Sequence, residues 1–233
     1  MRFRFPVVII DEDFRSENAS GLGIRTLADA IEKEGIEVLG VTNYGDLTSF
    51  AQQQARASAF VLSIDDEELA GSDEDTSKAL QKLRSFVEEV RFRNAEIPIF
   101  LHGETRTARH IPNDILRELN GFIHMLEDTP EFLARYIGRE ARAYLESLVP
   151  PFFRALTHYA ADGSYSWHCP GHSGGVAFLK SPIGQMFHQF FGENLLRADV
   201  CNAVDELGQL LDHTGPVGAS ERNAARIFNC AHL

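Results

Sequence analysis

Cysteine is scarce in this chain, and so are lysine, tryptophan and long apolar runs. Its three cysteines, Cys169, Cys201 and Cys230, lie far apart and in no CxxC spacing. That excludes a disulfide framework and fits a reducing, cytoplasmic setting. The opening Met1-Arg-Phe-Arg-Phe5 is basic but has no extended apolar core, and Pro6 and Asp11 interrupt the next stretch. Neither a signal peptide nor a transmembrane span is expected. Positive charge is short as well: 22 Lys and Arg face 34 Asp and Glu, a net charge of −12. Such a balance argues against a nucleic-acid backbone or an anionic membrane as a partner. No internal repeat or low-complexity tract is present.

What the chain does have is an ordinary globular composition, 44% hydrophobic and 24% charged, over 233 residues. That length holds one large domain or two small ones. Phe5–Ile10, Ile36–Thr42, Ala59–Ile64, Ile97–Leu101 and Gly121–Leu126 read as five short buried strands. Helical stripes separate them: Ile24, Leu27, Ala28 and Ile31; residues 46–56; Ala79 through Val90; Ile115 with Leu119. A further helix opens near Thr129 and ends before Pro150-Pro151. The alternation predicts an α/β fold, a five-stranded parallel flavodoxin-like or receiver-like domain over residues 1–128. A helical linker, 129–165, and a loop-rich segment, 166–233, come after it. Short helices are expected there at 152–159, 182–191 and 220–228.

In such sheets, functional groups gather beyond the carboxyl ends of the strands. Asp11 and Asp13 follow the first strand, and Asp65 and Asp66 follow the third. A phospho-acceptor receiver uses acids placed in this way to hold Mg²⁺ and take a phosphoryl group, with Thr105 available after the fourth strand. The fifth strand, Gly121–Leu126, lacks the lysine that would neutralise the phosphate. The cluster therefore reads as vestigial, in a domain kept for assembly and holding no metal. The acidic run from Asp65 to Asp75 also reads as a solvated loop.

The last quarter resists any reading by periodicity. Trp167-His-Cys-Pro-Gly-His-Ser-Gly-Gly-Val-Ala-Phe178, Gly192-Glu-Asn-Leu-Leu-Arg-Ala-Asp199 and Leu210-Leu-Asp-His-Thr-Gly215 pack Pro, Gly, His and acids into turns. The glycines imply sharp turns or close backbone approach. No phosphate-loop frame surrounds them. His168, Cys169, His172 and His188 fit no compact zinc spacing. Cys201 and Cys230 read as small buried hydrophobes.

These segments, with Ser181-Pro182, Leu207-Gly208 and Ala224–Asn229, closely resemble the opening of the large domain in the bacterial Orn/Lys/Arg decarboxylases, which use pyridoxal phosphate (PLP). Gly192-Glu-Asn-Leu195 and Leu211-Asp-His-Thr-Gly215 look closest to acid-induced arginine decarboxylases. The resemblance implies a receiver-like wing domain, a linker and a truncated PLP-dependent transferase-like large domain. It implies a homo-oligomer, a dimer or assembly of dimers, acting on arginine, lysine or ornithine. It also implies a Gly-Thr-Ser phosphate loop and a Schiff-base lysine, neither of which occurs here; the lysines are Lys33, Lys78, Lys82 and Lys180. The chain alone is thus expected to bind no PLP and to be inactive. Its contribution would come from supporting residues: His172, Asp199, Glu206, Asp212 and His213. Each also reads as a turn or cap residue. The alternative is a stand-alone receiver-like interaction module.

Overall fold

Strand β1 (Val7–Ile10) forms from the first apolar run and sits inside the sheet. Strands β2 (Val38–Val41), β3 (Ala59–Ser63), β4 (Ile99–Gly103) and β5 (Gly121–His124) complete it. All pairings are parallel, in the order β2-β1-β3-β4-β5. Val7 lies opposite Val38 on one side and Ala59 on the other. The structure is a computed structural model that describes residues 5–42, 56–64, 72–104, 108–124, 127–163, 171–201 and 204–232. The helix expected over 46–56 lies almost wholly outside those residues.

The period-two rule for strands divides the core into two layers. Val8, Ile10, Phe60, Leu62, Ile99 and Leu101 face helices α2 (Asp73–Arg93) and α3 (Asn113–Glu118) through Leu83, Phe86, Val87, Val90 and Ile115. Val7, Ile9, Ala59, Val61, Phe100 and Ile123 face α1 (Ala19–Lys33) and α4 (Pro130–Leu148) through Ile24, Leu27, Ile31, Leu133, Ile137 and Ala141. Each large aliphatic side chain buried this way stabilises the fold by about 2 kcal/mol. Asn18 caps α1 by accepting from the Gly21 N–H at 2.8 Å, and Ser72 caps α2 in the same manner. A 3₁₀ turn over Glu12–Arg15 follows β1. Its Phe14 ring lies over Gly40 of β2, where a Cβ would stand 2.0 Å from Phe14 Cε1.

The chain divides into two units, Met1–Glu146 and Ser147–Leu233. In the second, α5 (Pro151–Asp162) packs on α8 (Gly215–Ile227), and the Phe152 N–H donates to Ser220 Oγ at 2.8 Å. Helix α6 (Pro182–Phe191) packs on a 3₁₀ turn over Val176–Lys180. Ser181 caps α6, and Pro182 presets its first turn. Helix α8 starts at Gly215, a full turn or more before Ser220, because Pro216 is already at a helix-compatible first position. A short α7 (Glu193–Arg197) was not expected from the sequence. Cys201 is half-buried, but Cys230 is exposed rather than buried. It follows Asn229, whose left-handed backbone (φ 49°) carries the chain off α8.

The contact between α6 and the 3₁₀ turn depends on Gly184, whose added Cβ would lie 2.1 Å from the Phe178 carbonyl oxygen. Backbone cannot retreat as a side chain does. Gly184→Ala is expected to destabilise the second unit by about 2 kcal/mol. Urea titration followed by the single tryptophan, Trp167, checks this. Gly171→Ala, with open space around it, should leave the midpoint unchanged.

Candidate functional site

Two clusters collect the residues singled out by sequence. The first lies at the carboxyl edge of the sheet. Asp11 follows β1 and is only 4% exposed. Its Oδ1 accepts from the Asp13 N–H at 2.7 Å, so it caps the Glu12–Arg15 turn. Its Oδ2 stands 2.9 Å from Nε2 of His102, near the end of β4. Burial pushes the Asp11 pKa up. Hydrogen bonding and charge from His102, with the Asp13 N–H and Ser63, outweigh it and hold the carboxyl below its ordinary range. Asp13 turns its own carboxylate to Asn18, whose Nδ2 donates at 3.0 Å. Asp65, Asp66 and Thr105 lie outside the described residues.

Hydropathy did not reveal His102. It continues the apolar run Ile99-Phe-Leu101 and ends up 6% exposed. A histidine at the carboxyl end of an internal strand, level with the acids after β1, is the signal that could have found it.

The second cluster lies in the second unit. Ser173, Gly174 and Gly175 have φ of 48°, 64° and 95°, three consecutive left-handed residues. Glycine accepts this conformation without penalty. His172 fastens the turn: Nδ1 accepts from the Gly175 N–H at 3.1 Å, and its ring stacks on Phe178 at 5.6 Å. With Nδ1 an acceptor, the neutral ring carries its proton on Nε2, which donates to Asp199 Oδ2 at 2.9 Å. The structure thus joins His172 and Asp199 across 27 residues. His213 stands apart, its Nδ1 2.8 Å from Glu221 Oε2 on α8. Glu206 and Asp212 are exposed. Among the described residues, no group of three His, Cys, Asp or Glu side chains is arranged to hold a metal.

A cavity of about 250 Å³ opens beside the pair, walled in part by Tyr159, Lys180, Arg197 and Asp199. Of the two cations in this wall, Arg197 is already paired with Glu193 at 2.6 Å. All four lysines are exposed; Lys78 pairs with Glu74 at 2.7 Å and Lys82 with Glu12 at 2.9 Å. An imine-forming lysine needs a desolvated or cation-flanked site. These four do not fit PLP.

The lowered Asp11 pKa makes a signed statement about stability. A carboxyl depressed in the folded state contributes stability that is complete above its unfolded value, about pH 4, and is lost as pH falls through the folded value. Asp11→Asn is therefore expected to lose about 2 kcal/mol near neutral pH. The difference from the parent should shrink in acid below about pH 4. Urea midpoints measured across this range decide it; a pH-independent difference would contradict the assignment.

Comparison with known proteins gives the geometry its context. Residues 19–144 match the family model for the N-terminal domain of the Orn/Lys/Arg decarboxylases. Residues 150–233 match the model for their major domain. The chain is 40% identical to lysine decarboxylase LdcA of Pseudomonas aeruginosa over 98% of its own length and 30% of that protein. It is 34% identical to the biodegradative arginine decarboxylase of Escherichia coli, covering 95% of this chain and 29% of that one. The solved structure of lysine decarboxylase A from Pseudomonas aeruginosa superposes with a TM-score of 0.80 at 39% identity, over 99% of this chain and 30% of the other. The chain thus spans about 30% of the length of these relatives. With both models matched in tandem, the chain belongs to the Orn/Lys/Arg decarboxylase family.

Proposed function

We propose that this chain serves as the N-terminal portion of a PLP-dependent decarboxylase of basic amino acids. The observation that carries this reading is the ordered match to two successive domains of one family, across about 30% of the relatives' length. In this reading residues 166–233 open the PLP-binding large domain, and segments outside this sequence supply the phosphate loop and imine lysine. PLP, once bound there, would accept the electrons released with the substrate's carboxylate. Residues of this chain would act as positioning groups. His172 and Asp199 hold the Gly171–Gly175 turn in one conformation, and Glu206, Asp212 and His213 are proposed as supporting groups elsewhere in the second unit.

On substrate, the motifs at Gly192–Leu195 and Leu211–Gly215 favour arginine. Overall identity does not separate the substrates: one lysine decarboxylase is 40% identical and another 30%, with the arginine decarboxylase at 34% between them. The motifs therefore decide the order, with arginine proposed first, then lysine or ornithine. The work would take place in the cytoplasm. Neither nucleic acid nor membrane is proposed as a partner; among the described residues no helix is long and apolar enough to cross a membrane.

A chimera tests the function. This chain replaces the matching part of the Pseudomonas aeruginosa lysine decarboxylase, and CO₂ release from lysine and arginine is measured. Activity is expected from the chimera, while the 233-residue chain alone should release none and gain no borohydride-trapped PLP adduct on a single lysine. A folded, PLP-loaded but inactive chimera, or an active isolated chain, would overturn the proposal.

Self-association follows from the surface of the second unit. Phe190, Leu211 and Phe228 are 82%, 88% and 73% exposed, and apolar exposure of this kind marks an interface. The parent family's homo-oligomer supplies the cover in this reading. Light scattering should show concentration-dependent association of the chain, relieved by the triple substitution Phe190→Ser, Leu211→Ser and Phe228→Ser. A monodisperse monomer at all concentrations would refute it.

A further inference from the structure

The left-handed turn of the second unit is closed by one ring that both accepts and donates. The His172 side chain is 16% exposed, and that of its partner Asp199 is 61% exposed. Nδ1 accepts from the Gly175 N–H at 3.1 Å, and Nε2 donates to Asp199 Oδ2 at 2.9 Å. The Gly175 N–H is shared, since it also reaches the His172 carbonyl oxygen at 3.0 Å. The N–H groups of Val176, Ala177 and Phe178 close on the same turn, through the carbonyls of Ser173, His172 and Gly175. The ring also heads an aromatic row. It stacks on Phe178, Phe178 meets Phe187 at 4.7 Å, and Phe187 meets Phe191 at 4.4 Å. The row ends where Phe191 meets the exposed Phe190.

We infer that His172 is a proton-operated latch: the neutral ring closes the Gly171–Gly175 turn, and a ring that gains a proton releases it. A neutral imidazole has one donor and one acceptor, whereas the charged ring has two donors. A proton on Nδ1 sets one N–H against another at Gly175, while Nε2–H still faces Asp199. The two effects oppose each other, and their surroundings decide between them. Asp199 stands largely in water, where attraction between charges is screened. The clash sits in the tightest part of the turn, where a Cβ on Gly175 would stand 2.8 Å from Leu196 Cδ1 and 3.1 Å from His188 Cδ2. The other charged or titratable groups nearby supply no substitute acceptor. Arg197 is engaged by Glu193 and by the Ala160 carbonyl, and Lys180 and Tyr159 line the cavity beside the turn. Closure is therefore favoured at the alkaline end of the range where imidazoles ordinarily titrate, about pH 5 to 8, and is lost towards the acidic end. Because the aromatic row leads from the ring to Phe190, opening alters the apolar face that this unit presents. This inference rests on the turn itself and not on the decarboxylase reading, so either can fail without the other.

Hydrogen exchange read by mass spectrometry on the full 233-residue chain tests the latch. The peptide Gly171–Phe178 is followed at about pH 8 and about pH 5, with rates corrected for the intrinsic pH dependence of exchange. In the parent its protection should fall at least about tenfold from the higher pH to the lower. Two variants separate the ring nitrogens. His172→Asn puts an amide oxygen near the place of Nδ1 and cannot gain a proton, so its protection should agree at the two pH values within about threefold. His172→Gln reaches towards Asp199 but leaves Gly175 without that acceptor. It should be about tenfold less protected than the parent at the higher pH, with no further fall at the lower. His188→Gln and Asp199→Asn should each keep the parent's response. Protection of α8 (Gly215–Ile227) reports that the second unit of each variant is folded. Should His172→Gln lose it, the parent against His172→Asn carries the comparison. Equal protection of the parent at both pH values, a pH response kept by His172→Asn, or one abolished by His188→Gln or Asp199→Asn would each overturn the inference.

Discussion

Val7 to Ile10 are four consecutive residues without solvent contact, and the first unit is arranged around that constraint. A strand buried on both faces needs a paired neighbour on each edge and a helical layer on each side. β2 and β3 supply the edges; α1 with α4, and α2 with α3, supply the layers. The same constraint creates a polar difficulty. The residue after β1 is still inside, and it is an aspartate. Its charge must be met by internal groups, which is why Asp13, Ser63 and His102 converge on it. The packing of the sheet and the chemistry at its carboxyl edge are one problem.

The five strands were legible because parallel strands buried on both faces read as unbroken apolar runs. Their ends were less so. β4 runs to Gly103 rather than Leu101, since a buried histidine looks like a strand end to hydropathy. Helix α7 was hidden because five residues are too few to show a period. The turn at Gly171–Gly175 was legible from its glycines, and His172 and Asp199 both stood out in its neighbourhood. Their pairing did not, because a contact across 27 residues leaves no local pattern. The same holds for His213 with Glu221, eight residues apart and joined only by the way α8 begins.

The two units differ in how they are stabilised. The first encloses most of its large apolar side chains in two layers, although Leu22, Phe92 and Phe132 are exposed. In the second, Ala160, Leu196, Val204 and Leu207 are buried while Ile183, Met186 and Phe190 are exposed. Tight local features compensate in part: the capped start of α6, the left-handed turn pinned by His172, and the Phe152–Ser220 bond between α5 and α8. Local order of this kind can hold short segments in shape before a larger hydrophobic layer covers them. That is the property expected of a segment whose apolar groups belong to a bigger interior.

The Phe14 ring over Gly40 carries a different implication, one for sequence drift. β2 tolerates no side chain at position 40 while the ring is in place, as a new carbon would overlap the Phe14 ring. Enlarging position 40 requires the ring at position 14 to turn aside or be reduced. With the ring in its present place, glycine is the residue that fits at 40. The two positions, 26 residues apart in number, therefore change as one site, and substitution in the Glu12–Arg15 turn is coupled to a strand it does not adjoin in sequence.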